Sequence, residues 1–463
     1  MKTNLKTISK LCLLLTLLVG QSFAQKKRLM VQQGHSSFIE TVAFSPDDSK
    51  IFTGSVDASF KIWDTKTGKL LQVVNLDNPL DYLSEGVFYL KNRKQAIIKT
   101  INNIQLWDLD KQKRLQIYKN ISSDELLKGV TQDASKILLV NPKGLSKARV
   151  IGNQPGQVVL DVAFTSGLFR KTREFEGVLR VNDGVFSPDE KQVLIGLSNG
   201  AIKLLDIKTN KILKTFKKDS IQIKQVRFSR DGLYIYSLNA NKVMRVWNVQ
   251  TEQLGQSLEL PKTGDIEAWW PERQLFVSSK AHNRLALKDL NTGQLIQEFV
   301  VKNGASHYYP VLSKDQSILL SVNTHFLMVW EVKTGKLLYE IPGSAVGHIP
   351  VQYASDRTKV IQITLSGKPY SFDKPEKVTA MKGKRDNDPN IYLKDAKTQQ
   401  LKATIYTAFP NKKAWVITTP DGRYDANQAG LQYLHYVQNG TKILSLPKRD
   451  PKRVKGLLQK LLE

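Results

Sequence analysis

Ile62-Trp63-Asp64-Thr65-Lys66-Thr67-Gly68-Lys69 is the stretch on which the fold turns, because the chain repeats it. It returns as Leu106-Trp107-Asp108, Leu204-Leu205-Asp206-Ile207-Lys208-Thr209, Val246-Trp247-Asn248 and Val329-Trp330-Glu331-Val332-Lys333-Thr334-Gly335-Lys336. Weaker copies stand at Ile151, at Lys288 followed by Asp289, and at Phe372 followed by Asp373. The intervals between these eight anchors are 44, 44, 54, 42, 41, 42 and 42 residues. Self-similarity at such a period marks one supersecondary unit used many times.

A second marker keeps the same period. Phe44-Ser45-Pro46-Asp47-Asp48 recurs as Phe186-Ser187-Pro188-Asp189, Phe228-Ser229-Arg230-Asp231-Gly232, Leu312-Ser313-Lys314-Asp315 and Ala354-Ser355-Asp356. Between the markers apolar and polar residues alternate, as in Phe38-Ile39-Glu40-Thr41-Val42-Ala43-Phe44, which is the pattern of short, half-buried strands. Asp, Pro, Asn and Gly between the runs supply hairpin turns. Four short strands in roughly 42 residues is the arithmetic of a propeller blade. The expectation is an all-β protein, a β-propeller with a small C-terminal α/β tail.

The repeat resembles that of the WD-repeat β-propellers over about residues 27–380. The first copy carries the fullest signature, Gly34-His35, Thr53, Ser55, Asp57 and Trp63-Asp64. In that family the His, a strand hydroxyl, the turn Asp and the Trp form a buried hydrogen-bonded set, so His35, Thr53, Ser55, Asp57 and Trp63 are expected to form one here. Six positions before other anchors stand Asn199, Asn241, His282 and Thr324, so most blades are expected to lack it. Eight anchors argue for eight blades, while seven is the family's commoner number. In this family a terminal strand usually completes the last blade and hides its edge. Arg28-Leu29-Met30-Val31-Gln32 is the candidate for that role.

The first 24 residues read as an address. Lys2, Lys6 and Lys10 precede an apolar run from Leu11 to Val19 that is too short to span a bilayer. Ser22 and Ala24 then suit signal cleavage before Gln25. The expected organisation is a signal peptide at 1–24, a WD-repeat propeller over 25–382 and a C-terminal extension over 383–463. An exported protein, periplasmic or otherwise associated with a cell envelope, is expected. Cys12, the single Cys, leaves with the signal, which excludes a disulfide framework.

In the extension, Ile391 to Thr398 echoes an anchor, either as an extra strand pair or as the end of the last blade. The stretch Trp415 to Ala426 resembles a short module that follows WD repeats in bacterial proteins, some carrying caspase-like peptidase domains. It transfers no activity, because the mature chain lacks the Cys such a site needs. Val454, Leu457, Leu458, Leu461 and Leu462 have helical spacing, with Lys448, Arg449, Lys452, Arg453, Lys455 and Lys460 around them. That helix docks on the propeller, or serves as a basic amphipathic element for a membrane surface or partner.

The formal charge of +27 suggests an acidic partner. The basic residues are dispersed through every repeat, so nucleic acid is not expected. Other proteins, or an anionic envelope polymer or lipid surface met by the basic C-terminal helix, suit an exported chain better. No Gly-rich phosphate loop, His-Glu-x-x-His or Gly-x-Ser-x-Gly is present, so neither catalysis, cofactor nor metal is expected. Five of the six His map to one rim of the ring. The candidate partner-binding residues are Phe169, Arg170, Lys171 and Arg173 in the longest repeat, His307 in an inter-blade loop, and Trp270 beside Trp269. The leading reading is a non-catalytic exported scaffold or binding module. A peptidase- or secretion-associated regulator and a binder of anionic glycan are the alternatives.

Overall fold

The computed structural model describes residues 27–76, 83–90, 95–111, 113–119, 121–141, 147–152, 158–163, 180–260, 266–281, 283–300, 308–323, 326–343, 351–353, 359–365, 368–371, 378–382, 390–407, 409, 413–438 and 442–462. Seven four-stranded antiparallel sheets succeed one another over 39–75, 83–118, 126–163, 181–216, 223–259, 266–300 and 308–342, each built of consecutive strands. In the first blade, strands a to d are Ile39–Phe44, Lys50–Ser55, Ser59–Asp64 and Leu70–Asn75. Strands a approach one another around the ring and strands d lie outermost.

The anchor Trp recurs because it fills the space between blades. Phe60 meets Trp107 edge-on across the first two blades, with centroids 5.4 Å apart. Phe216 meets Trp247 at 6.0 Å and Phe299 meets Trp330 at 5.8 Å in the same way. Such pairs add roughly 0.5–1.5 kcal/mol to the burial of the rings. The second marker is a turn. The Ser45 hydroxyl donates to Asp47 Oδ1 at 2.6 Å, Ser187 does so to Asp189 at 2.6 Å, and Ser229 to Asp231 at 2.5 Å. The same carboxylate then accepts the backbone N–H two residues on, from Ser49, Lys191 and Leu233.

The ring closes on seven blades. Leu320, Val322, Leu327, Val329 and Ile341 of the seventh share one core with Ile39, Phe52, Phe60 and Trp63 of the first. Across the seam the His35 N–H donates to the Pro342 carbonyl at 2.8 Å, the Lys314 N–H to Asp48 Oδ2 at 2.6 Å and the Tyr339 hydroxyl to the Thr65 carbonyl at 2.5 Å. Gly34 is needed there, because a Cβ at that position would lie 2.2 Å from the Pro342 carbonyl oxygen.

The eighth anchor, Phe372 with Asp373, lies outside the described residues. The strands flanking it belong to a further sheet of eight strands between residues 351 and 426, not to the ring. The boundary expected at 382/383 falls between two of its strands, Val378–Lys382 and Ile391–Asp395, which pair directly.

The terminal strand proposed for ring closure goes elsewhere. The seventh blade already has its own outer strand, Leu337–Pro342. Lys27–Val31 instead pairs antiparallel with Leu434–Gln438, which pairs in turn with Lys442–Leu444. This three-stranded sheet lies between the first blade and the C-terminal unit. Met30 and Val437 enter the core of the first blade, while Leu29 and Val31 pack against Phe409, Val416 and Tyr424.

The terminal helix runs from Leu457 to Leu462, and Val454 precedes it. Leu457 and Leu458 are buried against Ile391, Leu393, Ile405 and Ile417 of the eight-stranded sheet. Each such leucine contributes roughly 1.5–3 kcal/mol. The docked alternative is the one seen, and the partner surface is this sheet rather than a blade of the ring. The apolar face imagined for a membrane is covered.

Candidate binding cleft

In the first blade His35 is fully buried, with Nδ1 3.0 Å from Asp57 Oδ2 and Nε2 2.7 Å from Thr53 Oγ1. Trp63 Nε1 donates to the same Thr53 oxygen at 2.8 Å, so the Thr53 hydroxyl donates to the ring and Nδ1–H donates to Asp57. Burial holds the ring below the ordinary histidine value against the pull of Asp57, which keeps it neutral. Burial alone would raise Asp57, but His35, Lys61 and the Ser59 hydroxyl together hold it well below the usual carboxylate range. Asp57 also accepts the N–H groups of Ser36 and Ser59, each at 2.9 Å. Ser55 bonds aside from this set, to the Ser37 carbonyl at 3.2 Å and as acceptor from the Asp57 N–H at 3.1 Å.

Other blades keep one half of the arrangement. Trp247 donates to Ser237 and Trp330 to Ser321, both at 3.0 Å, while Trp107 turns to Gln105 at 2.9 Å. The half that ties strand c to the loop before the blade is rebuilt with ions. Arg149 pairs with Glu125 at 2.5 Å in the third blade, and Arg245 pairs with Asp219 in the fifth. In the first blade the corresponding strand position is Lys61, whose ammonium donates to the Gln33 and Gly34 carbonyls at 3.1 and 2.6 Å. The WD signature names none of these three cations. A basic residue two places before the anchor Trp is the signal that finds two of them, Lys61 and Arg245; Arg149 lies two before the weak anchor Ile151.

Residues Phe169, Arg170, Lys171, Arg173 and His307 lie outside the described residues, as do His282, His325 and His348. Trp269 is buried between the fifth and sixth blades. Trp270 is half-buried, packs toward the seventh blade and precedes the tight turn Pro271–Arg273, so it forms part of the blade seam.

The structure brings a different set together. A cleft of about 530 Å³ opens between the first blade and the C-terminal unit. The first blade contributes Ser59, Lys61, Leu70, Val73 and Asn75, and the loop before it Gln33, Gly34 and Ser36. Asn390, Tyr392, Tyr406 and the turn from Thr418 to Gly422 form the facing wall, and all of Lys27 to Val31 line it as well. Lys27, Arg28, Lys61 and Lys452 are its cations, against Asp57 and Asp421.

The walls are fixed to one another. Gln33 and Asn390 exchange amide hydrogen bonds at 3.1 and 3.3 Å. At the start of the outer strand of the first blade, side chains cover the exposed backbone groups. Arg28 donates to the Leu71 carbonyl at 3.2 Å, Gln32 donates to the Gly68 carbonyl and accepts the Leu70 N–H, both at 2.7 Å, and His435 Nε2 donates to the Leu70 carbonyl at 2.8 Å. That end of the outer edge is thereby capped without another strand.

The tail repeats the blade's own turns. Thr419 donates to Asp421 as Ser45 does to Asp47, and Thr398 donates its N–H to Asp395 at 2.8 Å as Thr67 does to Asp64. Tyr424 and Tyr436 both donate to Asp450 Oδ2, at 3.2 and 2.9 Å. Burial and the Asp450 charge push the Tyr424 phenol up to about 12, so it stays a donor. Lys452 then reaches the Asp421 carbonyl at 2.7 Å. The arrangement offers fixed cations, phenols and amides along one trough, which suits recognition of an anion.

The family described as WD domain, G-beta repeat matches residues 26–64. The chain is 26% identical over 203 residues to eukaryotic translation initiation factor 3 subunit I of Emericella nidulans, covering 42% of this chain and 58% of that protein. It is 22% identical over 222 residues to WD repeat-containing protein 55 of Arabidopsis thaliana, covering 48% and 58%. It is 22% identical over 347 residues to retinoblastoma-binding-like protein E of Dictyostelium discoideum, covering 74% and 53%. The chain spans about half the length of the curated relatives it matches.

Proposed function

We propose that the protein is an exported, non-catalytic propeller that serves as an interaction module for other proteins. The observation that carries this reading is the way the C-terminal unit is held to the first blade. Ring and tail are joined through Gln33–Asn390, His435–Leu70 and the buried Met30 and Val437. A surface composed of two rigid units is what a scaffold needs, because a partner that meets preordered groups loses less entropy on binding. The neutral, fully bonded His35 has no free nitrogen for acid–base work. Export rests on the residues of 1–24, and the partners named for the relatives are not carried over.

The test is to express the full chain with a C-terminal tag in a bacterial host, cross-link at the envelope and purify. The reading expects a chain that starts at Gln25 and the same protein partners in each preparation. Retention of the uncleaved chain inside the cell overturns the exported half. A tagged protein that reaches the envelope and never captures a protein overturns the scaffold half.

A further inference from the structure

Lys27, Arg28, Leu29, Met30 and Val31 all line the cleft. Successive side chains of a strand point to opposite faces, so a trough that touches five consecutive residues runs along the strand's edge. Leu434–Gln438 occupies one edge of this strand. Among the described residues no strand pairs with the other. On the neighbouring outer strand of the first blade, Arg28, Gln32 and His435 cap the backbone of Leu70 and Leu71. The open edge of Lys27–Val31 presents the backbone groups of Lys27 and Leu29 and the N–H of Val31, whose carbonyl accepts the Gln33 N–H at 2.9 Å.

The charge around that row has one sign in excess. Lys27 sits 4.0 Å above the Tyr436 ring, Arg28 donates to the Leu71 carbonyl and Lys452 to the Asp421 carbonyl. These three contacts are to a neutral ring and to backbone oxygens, so they leave the positive charges uncompensated. Of the two acids in the lining, Asp57 is held by His35 and by N–H groups, and Asp421 is paired with Arg423 at 2.7 Å.

We propose that the cleft binds an extended acidic peptide segment of a partner protein by strand addition to Lys27–Val31. The proposal rests on the interaction-module reading and gives it a site. The backbone row supplies affinity, and the cations with Tyr392 and Tyr406 select carboxylate-bearing side chains on alternate positions. Five residues at about 3.3 Å each give a paired length of roughly 16 Å. A polysaccharide acid would find the charges but could not use the N–H and C=O row as a strand does.

The experiment uses the chain from Gln25 and an acetylated, amidated hexapeptide of alternating Glu and Val, with binding followed by calorimetry at low salt. Three probes accompany it: the same peptide with Lys for Glu, the peptide with alternate amides N-methylated, and oligogalacturonate. The acidic peptide is expected to bind, and the Lys and N-methylated forms to lose at least roughly tenfold in affinity. Lys27→Glu with Lys452→Glu is expected to weaken the acidic peptide by a similar factor. Equal binding of the N-methylated peptide overturns strand addition, and equal binding of the Lys peptide overturns the charge argument. Binding of oligogalacturonate without the acidic peptide overturns the proposal in favour of a glycan. Because the probe comparison uses the wild-type chain, a variant that fails to fold does not blunt it. If the acidic peptide fails while the wild-type chain still captures proteins in cells, the site is wrong and the scaffold reading stands. If the peptide binds and no protein is captured, the reverse holds.

Discussion

His435 Nε2 donates to the carbonyl of Leu70 at 2.8 Å, joining residues 365 positions apart and holding the C-terminal unit to the outer strand of the first blade. The other ring nitrogen is buried and has no hydrogen-bond partner among the described residues. Burial lowers the pKa of this ring, Lys69 acts in the same direction, and the Leu70 carbonyl opposes them. The docked state thus binds a proton less readily than the undocked one.

The pH dependence of docking follows from that direction. Where the undocked state holds more protons, stability rises with pH. The contribution of His435 is complete above the ordinary histidine value of about 6.5 and is lost as pH falls below it. His35 is shifted the same way, so global unfolding carries the same sign and cannot separate the two. The protection factor of the amides in Leu434–Gln438, taken against the intrinsic exchange rate at each pH, is expected to fall on acidification below about pH 6.5. His435→Gln is expected to remove that local dependence, and an unchanged profile in the variant would refute the latch.

The first-blade network is worth more than any single anchor bond. Asp57→Ala leaves His35, the Ser36 N–H and the Ser59 N–H without their acceptor and Lys61 without a nearby negative charge. Breaking such a buried set is expected to cost about 3–5 kcal/mol. Trp247→Phe removes one bond, to Ser237, and is expected to cost about 1 kcal/mol plus the lost ring area. Chemical denaturation of the two variants gives the comparison, and equal losses would show that the network adds nothing beyond its parts.

The repeat was legible because its markers do local work. The anchor Trp packs between blades and the marker Asp closes a turn, so both recur wherever that geometry recurs. The number of blades was not legible for the same reason. Asp395 with Thr398, and Thr419 with Asp421, use the same turn chemistry in a sheet outside the ring. The likeness of Arg28-Leu29-Met30-Val31-Gln32 to a blade's outer strand identified a strand but carries no address for its partner, which lies about four hundred residues away at Leu434–Gln438. Lys27 and Arg28 gave no local signal, since their meaning depends on which surfaces meet. Lys452 stood out only as one of a basic cluster. A strand left over before the first blade and a lysine inside an apolar strand were the clues that pointed toward the cleft.

Gly34 sets how closely the first and seventh blades approach. A Cβ there would also lie 2.7 Å from the Pro342 Cβ, and the His35 N–H bond to the Pro342 carbonyl leaves the backbone no room to retreat. Gly34→Ala is expected to destabilise the ring by roughly 1–3 kcal/mol. Because Lys61 binds the Gly34 carbonyl, the same change is expected to weaken acidic-peptide binding in the cleft. Thermal unfolding with calorimetry checks both, and a stable variant with full binding would show that the seam is slack.

The terminal helix depends on one carboxylate. Asp425 Oδ2 accepts the N–H of Gly456 at 2.8 Å and that of Leu457 at 3.4 Å, satisfying donors at the start of Leu457–Leu462. Gly456 takes a φ of +70° just before the helix, a conformation that other residues enter at a cost. Asp425→Ala is expected to cost about 1–2 kcal/mol, felt locally because only Leu457 and Leu458 anchor the helix deeply. Freed, the helix would expose those leucines beside Lys455 and Lys460, the basic amphipathic face that the folded chain keeps covered. Vesicles containing anionic lipid are therefore expected to retain the Asp425→Ala chain and not the wild type. Equal retention of both would show that the charges, and not the buried leucines, govern contact with a membrane.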